Sequence, residues 1–432
     1  MSLVEVAQLA PSISPPPKVR DGWSVRVVTD PSLLQSEQVA WMDLACDAAE
    51  TNSFYEPWFF LPAVRSQLAG VRNWQVLILE HTEKSRTQWV GFFPFHETGS
   101  SWSPLGRRLQ LAVNSQSYLS TPLIRRGFVP EVLDQLFAHL RQPGSPRVMH
   151  WPLNTLGGPI HQALIDIVRR DLISTFVRES YNRALLKPWK GPNTEEACQD
   201  YLLRSLGGHH FRDLRRQRRR LNEAGHLEFR ALETSAEAPV WAEWFLQLES
   251  VGWKGRQGTA LASNPATLRF AHEMIQSGFE LGRVQIVGLF RQGEPLALKL
   301  NLISDSGGFS YKIAYNEEFA KLSPGVQLEV DYVRHFQSSG REWIDSCAVA
   351  DHSMINRIWA ERRTIQDLLI STGHWKSDLV LAGLPAARAV LRTGRRLSRA
   401  VKSLLTRKSD PTKPIHTPDT PSKPATPEKS PT

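Results

Sequence analysis

The chain has 432 residues, of which 41% are hydrophobic and 22% charged, and its formal net charge is +9. This length exceeds what one hydrophobic core usually supports, and the composition is ordinary for a folded, water-soluble protein. Seven arginines in residues 204–220 and eight lysines or arginines in residues 388–408 supply the excess of cations, while the remainder is net acidic. The basicity is therefore local, and it does not indicate a general nucleic-acid-binding surface.

Cysteine usage and hydropathy narrow the class of protein further. Cys46, Cys198 and Cys347 lie far apart and form no CxxC pair, which argues against a metal site and favours a reducing compartment. No apolar run approaches the roughly 20 residues of a membrane span, and the first 20 residues lack the pattern of a signal peptide. We therefore expect a cytoplasmic protein without a metal cofactor.

Proline-rich and polar stretches divide the chain. APSISPPP near the start and the last 24 residues are too poor in apolar side chains to fold, and KPWKGPNTEE interrupts the middle. The predicted organisation is a disordered leader (1–20), an N-terminal domain (21–187), a linker (188–203), a C-terminal domain (204–374), a basic amphipathic helix (379–408) and a disordered tail rich in Pro, Thr and Ser (409–432).

The N-terminal domain alternates strand and helix patterns. Its predicted elements are a strand at WSVRVV, helices over 33–49 and 57–68, paired strands at NWQVLILE and QWVGFFPF, strands at RLQLAV and YLSTPLI, helix 129–141, strand RVMHWPL, helix 158–170 and strand STFVRES.

The C-terminal domain follows a similar order. An arginine-rich helix ending at Gly225 precedes strand HLEFRAL, helices 238–251 and 265–277, strands GRVQIVGLF, PLALKLNLI and GFSYKIAY, a helix to about 338, strand EWIDSC, a short helix at MINRIWAERR and strand TIQDLLI. The turns RQGE and SDSG allow only antiparallel hairpins, whereas the later strand–helix–strand crossover requires a parallel pair. We predict an α+β fold of two tandem domains, each a mixed, mostly antiparallel sheet flanked by helices. The competing interpretation is that any α+β chain looks repetitive at this coarseness.

Four stretches of the second half carry a family resemblance: FRDLRRQRRRLNEAG, LESVGWKGRQGTAL, FSYKIAYNEEFAKLSPGVQLEVD and IDSCAVADHSMINRIWAERR. In this order they resemble GNAT acyltransferases, and in detail the CelD/BioF2-like acetyltransferases found around bacterial exopolysaccharide genes. The tandem arrangement also resembles the Fem-type aminoacyltransferases. The resemblance implies two GNAT-like domains and acetyl-CoA or another acyl-CoA as co-substrate.

An acyl-CoA enzyme must hold a pyrophosphate, and the start of a helix supplies N–H donors for one. KLSPGVQ opens such a helix where GNAT proteins carry a phosphate loop, although the usual glycine spacing is absent. The predicted cofactor-binding residues are Lys321, Ser323, Gly325, Val326 and Gln327. The competing interpretation is an ordinary helix start after a Pro-Gly turn.

Acyl transfer also benefits from a proton acceptor within hydrogen-bond reach. The candidate catalytic residues are Glu249, His352 and Asp345. GNAT enzymes often place a tyrosine on the last helix to protonate the departing thiolate, and this sequence has none there. Alternatively, Glu249 pairs with Lys254 and His352 caps a helix.

The remaining candidates would contact the substrate. In GWKG, Trp253 and Lys254 stand between glycines in a predicted turn, and Tyr311 lies on a strand with Lys312 expected on its opposite face. Arg212, Arg215, Arg216 and Arg219 form the polar side of the arginine-rich helix and suit an anionic acceptor, tRNA, or simply solvent.

These observations predict an acyl-CoA-dependent N- or O-acyltransferase acting on a polysaccharide or nucleotide-sugar precursor. The alternatives are an aminoacyl-tRNA-dependent transferase and a non-catalytic, membrane-proximal adaptor. Residues 379–408 set aliphatic side chains against cations, which predicts peripheral attachment to the anionic inner face of the plasma membrane or docking on the protein itself.

Overall fold

The computed structural model describes residues 22–68, 73–100, 105–223 and 225–386. The strands are β1 (Trp23–Val28), β2 (Trp74–Glu83), β3 (Arg86–Thr98), β4 (Arg108–Leu111), β5 (Leu123–Ile124), β6 (Val148–Thr155), β7 (Thr175–Leu186), β8 (Leu227–Ala231), β9 (Val284–Arg291), β10 (Glu294–Ile303), β11 (Gly307–Tyr315), β12 (Trp343–Asp345) and β13 (Glu361–Ser371).

The helices are α1 (Gln38–Cys46), α2 (Pro57–Arg65), α3 (Val129–Leu140), α4 (Pro159–Arg170), α5 (Glu195–Leu206), α6 (Gly208–Glu223), α7 (Ala238–Val251), α8 (Trp253–Arg256), α9 (Pro265–Glu280), α10 (Pro324–Gln337) and α11 (Ile355–Ile358). Short 3₁₀ helices lie at Pro31–Glu37, Ser53–Tyr55, Leu261–Ser263 and Glu317–Leu322. Residues 375–386 are also helical.

Local sequence explains where many helices begin. Proline stands in the first turn of several of them, where its missing N–H costs nothing and its fixed φ suits a helix. The prolines are Pro57, Pro130, Pro159, Pro265 and Pro324. The side chains of Thr194 and Asn264 accept N–H groups at the starts of α5 and α9. These signals are local, which is why the sequence predicted most of the helices, although α5 begins within the segment predicted as the linker 188–203.

All these strands join one sheet in the order β1-β2-β3-β4-β6-β13-β7-β12-β11-β10-β9-β8, with β5 also beside β3. The pairs β4–β6 and β11–β12 are parallel, and the other pairs are antiparallel. The predicted fold class, a mixed and mostly antiparallel sheet flanked by helices, is confirmed. So is the parallel pair at the crossover.

The two halves repeat one pairing scheme around the middle of the sheet. In the first half, β1 to β4 pair one after another, and β4 then pairs in parallel with β6. In the second half, β8 to β11 pair one after another in the same way, and β11 then pairs in parallel with β12. At the centre of the sheet the two halves exchange their last strands. The strand β13 of the second half lies between β6 and β7, and β7 of the first half pairs with β12. Each half therefore completes its sheet with a strand from the other, and the described residues up to Ala382 form one compact unit.

Helices cover both faces of the sheet. On the front face, α1, α2, α7 and α9 bury an apolar layer in which Phe59 of α2 meets Phe270 of α9. On the back face, α3 and α4 cover the first half, while α5, α6 and α10 cover the second. Any ligand that reaches both faces must therefore pass through or around the sheet.

Three charged side chains hold the exchanged strands together. Arg183 of β7 and Asp345 of β12 are almost fully buried, and Arg183 Nε lies 2.6 Å from Asp345 Oδ1. Arg363 of β13 donates to Asp345 Oδ2 at 2.9 Å, and Arg183 Nη1 donates to the carbonyl oxygen of Tyr118 at 2.8 Å. One carboxylate thus joins three neighbouring strands from both halves.

Parts of the predicted organisation lie outside the described residues. These are the leader 1–20, the tail 409–432 and, of the basic segment 379–408, everything after residue 386. Within the described ranges, no helix is both long and apolar enough to cross a membrane.

We predict that Asp345→Asn lowers the free energy of unfolding by about 3–5 kcal/mol, because Arg183 would then be a buried charge without its counter-ion. Urea unfolding of the full chain measures this. The matched control is Glu195→Gln, which removes the partner of Arg334 in a half-exposed pair and should cost no more than about 1 kcal/mol. Equal losses in both variants would contradict the role of Asp345 in joining the strands.

Candidate functional site

The sheet opens between β11 and β12. The parallel pairing runs from Gly307 opposite Trp343 to Phe309 opposite Asp345, and there it ends. Beyond this point β11 continues along β10, whereas the N–H of Ser346 donates to Ala184 of β7 at 3.0 Å. The opening thus lies at the carboxyl ends of two parallel strands, the position where α/β sheets most often bind ligands.

A β-bulge in β11 shapes the front side of this opening. Lys312 lies opposite Leu300 while Ser310 lies opposite Asn301, so Tyr311 is an extra residue without a partner. Because directly opposed residues share a face, Lys312 points to the front face with Leu300. Tyr311 is buried in the same front cluster. The expectation that Tyr311 and Lys312 lie on opposite faces is therefore wrong, since it assumed unbroken alternation.

Glu249 and Lys254 meet at the same place. Glu249, near the end of α7, is 2% exposed; its Oε1 accepts Lys254 Nζ at 3.0 Å and its Oε2 accepts the N–H of Leu261 at 2.7 Å. Lys254 Nζ also donates to the carbonyl oxygen of Ile313 in β11 at 3.0 Å. The alternative that Glu249 pairs with Lys254 is confirmed, and both oxygens of this carboxylate have a donor.

The GWKG stretch forms the short helix α8, which sets the position of Lys254. The N–H of Trp253 and the guanidinium of Arg256 bind opposite oxygens of Glu317, each at 2.6 Å. A β-carbon at Gly255 would overlap the carbonyl oxygen of Ser250, so only glycine fits there. The side chain of Trp253 is 44% exposed beside Lys254, where it can meet a ligand.

Burial controls the electrostatics of this cluster. It lowers the pKa of Lys312 to about 8, even though the nearby Glu249 carboxylate acts in the opposite direction. It also raises the pKa of Tyr118 to about 12 and that of Tyr311 well above its ordinary value. The Tyr311 hydroxyl lies 3.1 Å from Gln116 Oε1.

Lys312, Tyr118 and Gln116 were not among the site residues predicted from the sequence. For Lys312 there was a local signal, a lysine within the otherwise apolar run SYKIAY. Tyr118 and Gln116 lie almost 200 residues away in the first half, and no local pattern connects them to β11.

The other two predicted acid–base residues lie in different surroundings. Burial alone would raise the pKa of Asp345, but Arg183 and Arg363 lower it below its ordinary value. His352 Nδ1 accepts the N–H of Ile355 at 3.4 Å, which places the imidazole as a cap on α11. Burial raises the pKa of the neighbouring Cys347 thiol, so that group stays protonated.

The predicted phosphate segment lies at the start of α10. Ser323 adopts a left-handed conformation with φ 53°, and α10 begins at Pro324. A β-carbon at Gly325 would come within 3.1 Å of Tyr315 Cδ1, so a larger residue would press on β11. The N–H groups of Gly325 and Val326 precede the first helical hydrogen bond, and Lys321 is exposed nearby.

Gln327, the last residue of the predicted phosphate segment, forms hydrogen bonds within the protein. Its N–H donates to the carbonyl oxygen of Ser323 at 3.0 Å, and its side-chain Nε2 donates to the carbonyl oxygen of Leu214 in α6 at 3.0 Å. This buried amide joins α10 to α6 and leaves Gly325 and Val326 as the backbone donors of the segment.

The helices α6 and α10 run side by side in the same direction. Gln327 contacts Leu214, and four residues later Arg218 Nη1 reaches Asp331 Oδ2 at 2.9 Å. The first turn of α6, with Arg212, therefore lies beside the start of α10 on the back face.

The arginines predicted to bind substrate divide into two groups. Arg216 pairs with Asp213, and Arg219 lies 3.6 Å from Glu223, as helical neighbours on α6. Arg212 and Arg215 are exposed, and Arg215 lies over the ring of Phe211. A groove of 310 Å³ along α6 is lined by Arg215, Arg218, Arg219, Asn222 and Leu227.

Among the described residues, no group of three or more His, Cys, Asp or Glu side chains could hold a metal ion. The chemistry available at the opening in those residues is that of amines, carboxylates and tyrosines.

Residues 208–377 match the acetyltransferase (GNAT) domain family. This part of the chain, which contains β8 to β13 and the opening, is therefore similar to GNAT acetyltransferase domains. No curated protein matches the chain significantly.

Solved structures similar to the chain include FemX, with 7% identity, a TM-score of 0.46 and coverage of 77% of this chain and 95% of that one. The C-terminal domain of a putative lysylphosphatidylglycerol synthetase from Agrobacterium fabrum matches with 12% identity, a TM-score of 0.45 and coverage of 82% and 95%. A tandem GNAT protein from the clavulanic acid biosynthesis pathway matches with 12% identity, a TM-score of 0.36 and coverage of 81% and 99%.

We predict that Gly255→Ala destabilises the protein by at least about 1–2 kcal/mol, because the added methyl group displaces α8 and separates Lys254 from the buried Glu249 carboxylate. Thermal unfolding followed by circular dichroism measures the loss. Gly208→Ala is the matched control, since a β-carbon there meets only Arg212 Nη1 at 3.9 Å. If the two variants unfold at the same temperature, α8 is not held as described.

Proposed function

We propose that the chain is an acyl-CoA-dependent N- or O-acyltransferase whose reaction takes place at the opening between β11 and β12. The observation that carries the proposal is the arrangement around this opening within a GNAT-type domain. A helix start with free N–H donors lies on the back face, and a cluster of two partly buried amines and a buried carboxylate lies on the front face. A thioester that passes through the opening would expose its carbonyl carbon to the front face.

The start of α10 supplies the donor site. Pyrophosphate oxygens would accept the N–H groups of Gly325 and Val326, where the helix dipole favours an anion. Lys321 adds a positive charge beside them, and the parallel start of α6 adds a second helix dipole. This electrostatic binding of the pyrophosphate does not require a metal ion.

The packing of α6 supports a donor-side role for its arginines. Arg212 and Arg215 project from the helix that lies against α10 on the back face, away from α7 and α8 on the front. Bidentate guanidinium groups suit phosphate, and CoA carries a 3′-phosphate in addition to its pyrophosphate. We therefore propose that these two arginines bind the 3′-phosphate of the donor rather than the acceptor.

The acceptor would approach from the front face. Trp253 is exposed beside Lys254 there, and an aromatic ring next to polar groups suits a saccharide. A hydroxyl or amino group of a polysaccharide or nucleotide-sugar precursor is the acceptor class that we propose.

The exposed arginines of α6 also favour a second candidate, an aminoacyl-tRNA-dependent transferase. Such an enzyme needs a long cationic surface on the donor side, because a tRNA presents many phosphates. Retention of tRNA on a filter at 150 mM salt, without stabilisation by any CoA thioester, would favour this candidate over the first.

We predict that acetyl-CoA raises the unfolding temperature of the full chain and that Gly325→Val abolishes this rise, because the branched side chain would press on Tyr315 of β11 and displace the N–H donors of the helix start. Thermal shift at increasing acetyl-CoA concentration measures the effect. Lys321→Ala should weaken the response without abolishing it. Arg86→Ala, at the distant turn between β2 and β3, is the control for removal of an exposed cation. An unchanged response of Gly325→Val would exclude this donor site.

The assignment of the α6 arginines gives a separate prediction. The wild-type chain should respond more strongly to CoA than to 3′-dephospho-CoA, and the double variant Arg212→Ala, Arg215→Ala should respond equally to both. Arg220→Ala, at the opposite end of α6, should keep the wild-type preference. If the double variant still prefers CoA over 3′-dephospho-CoA, these arginines do not bind the 3′-phosphate and instead contact the acceptor or solvent.

A further inference from the structure

We propose that Lys312 is a catalytic residue, the proton donor to the CoA sulfur as the thioester breaks. This inference deepens the proposed acyl transfer and rests on it. It concerns a lysine on β11 that the sequence alone placed on the opposite side from Tyr311.

The first argument is the position of the side chain. The bulge at Tyr311 turns Lys312 to the front face just beyond the last paired residues of β11 and β12, Phe309 and Asp345. A thioester that crosses the sheet through the opening must pass the strand segment that begins at Ser310. Lys312 is therefore placed along the path on which the C–S bond must lie.

The second argument is that the nearby Glu249 carboxylate forms its hydrogen bonds with groups other than Lys312. Glu249 accepts Lys254 Nζ and the N–H of Leu261, and Lys254 is further fixed by the carbonyl oxygen of Ile313. One carboxylate thus acts electrostatically on two amines, and its hydrogen bond to an amine is the one with Lys254. Lys312 is left as the amine whose proton is available for transfer.

The third argument is the titration of the groups that face Lys312. Burial and the neighbouring Lys254 ammonium lower its pKa, while Glu249 from α7 and Cys347 from the segment after β12 oppose that change. The balance is a pKa of about 8, and the adjacent Tyr311 titrates far above it. At neutral pH Lys312 is therefore mostly an ammonium group, yet it releases its proton more easily than an exposed lysine.

The other candidates are less suited to donate this proton. Glu249 is fully hydrogen-bonded, His352 caps α11, and Tyr311 is buried with its hydroxyl next to Gln116. The thiol of Cys347 has a raised pKa, so it holds its proton more tightly than Lys312 does.

The proposed step balances as follows. The oxygen or nitrogen of the acceptor, which carries a hydrogen, adds to the thioester carbonyl carbon. The C–S bond then breaks, and its electron pair leaves on sulfur, which takes a proton from the Lys312 ammonium. The neutral amine takes up the proton that the acceptor has lost, so the products are the acylated acceptor, free CoA thiol and the original ammonium group.

The experiment uses the full chain with acetyl-CoA and water as the acceptor, because hydrolysis requires the same departure of the thiol. Free CoA is separated chromatographically, since the protein's own cysteines would react with thiol reagents. Thermal shift with acetyl-CoA is measured in parallel to follow donor binding. The variants are Lys312→Met, which keeps the length of the side chain, and Lys312→Ala, with Lys376→Met on the exposed surface as the control.

In the wild type we expect hydrolysis to fall as the pH rises through about 8, because the ammonium form is lost there. Lys312→Met should hydrolyse acetyl-CoA at least about 10²-fold more slowly and lose this decline, while its thermal response to acetyl-CoA is retained. Ethylammonium added to Lys312→Ala should restore part of the rate, a result that a purely structural lysine would not produce.

The inference is overturned if Lys312→Met keeps the wild-type rate or the decline near pH 8, or if ethylammonium leaves Lys312→Ala unchanged. A wild-type chain that binds acetyl-CoA but releases no CoA above the protein-free rate would also overturn it. Failure of the proposed function gives a different result, namely no thermal response of the wild type to any CoA thioester, and the inference then fails with it.

Discussion

The contact of Asp345 with Arg183 and Arg363 is the constraint on which the rest of the structure depends. These three side chains come from β12, β7 and β13, the strands that the two halves exchange at the centre of the sheet. A buried carboxylate is tolerated only with charged partners of good geometry, so the contact fixes where the three strands meet. Beyond Asp345 the chain keeps its pairing with β7 while its pairing with β11 ends, so the opening in the sheet begins at this contact.

The opening divides the chemistry between the two faces of the sheet. Helix starts and exposed cations lie on the back face, where α6 and α10 run in parallel. The partly buried amines of Lys254 and Lys312 and the buried Glu249 lie on the front face, where the loop with Gln116 and Tyr118 from the first half closes over β11. The N-terminal half therefore contributes Gln116 and Tyr118 to the wall of the site that we propose in the C-terminal domain. This arrangement gives a physical reason for the tandem architecture.

The bulge at Tyr311 is the smallest feature with a large effect on the proposed chemistry. One unpaired residue changes the face of the sheet to which each later side chain of the strand points. It therefore brings Lys312 into an environment that disfavours its charge. The same buried cluster contains Lys254, whose distance to Glu249 depends on a glycine that lets α8 close against α7. The positions of the Lys312 and Lys254 amines are set by these two backbone details rather than by the identity of the side chains alone.

The sequence by itself determined the order and type of most elements, the parallel pair at the crossover and the helix start at Pro324, and it offered the pair formed by Glu249 and Lys254 as an alternative to a catalytic Glu249. These features follow from periodicity, proline and glycine positions and short-range spacing, which act within a few residues. Only the tertiary structure decided that β13 enters the first half, that α6 lies beside α10 on the back face, that Asp345 joins three strands and that Lys312 faces the front. Each of these depends on contacts between residues far apart in the chain, or on a bulge whose position is chosen by the partner strand. No local pattern of side chains encodes such choices, because many pairings satisfy the same alternation and the packing of the whole sheet selects among them.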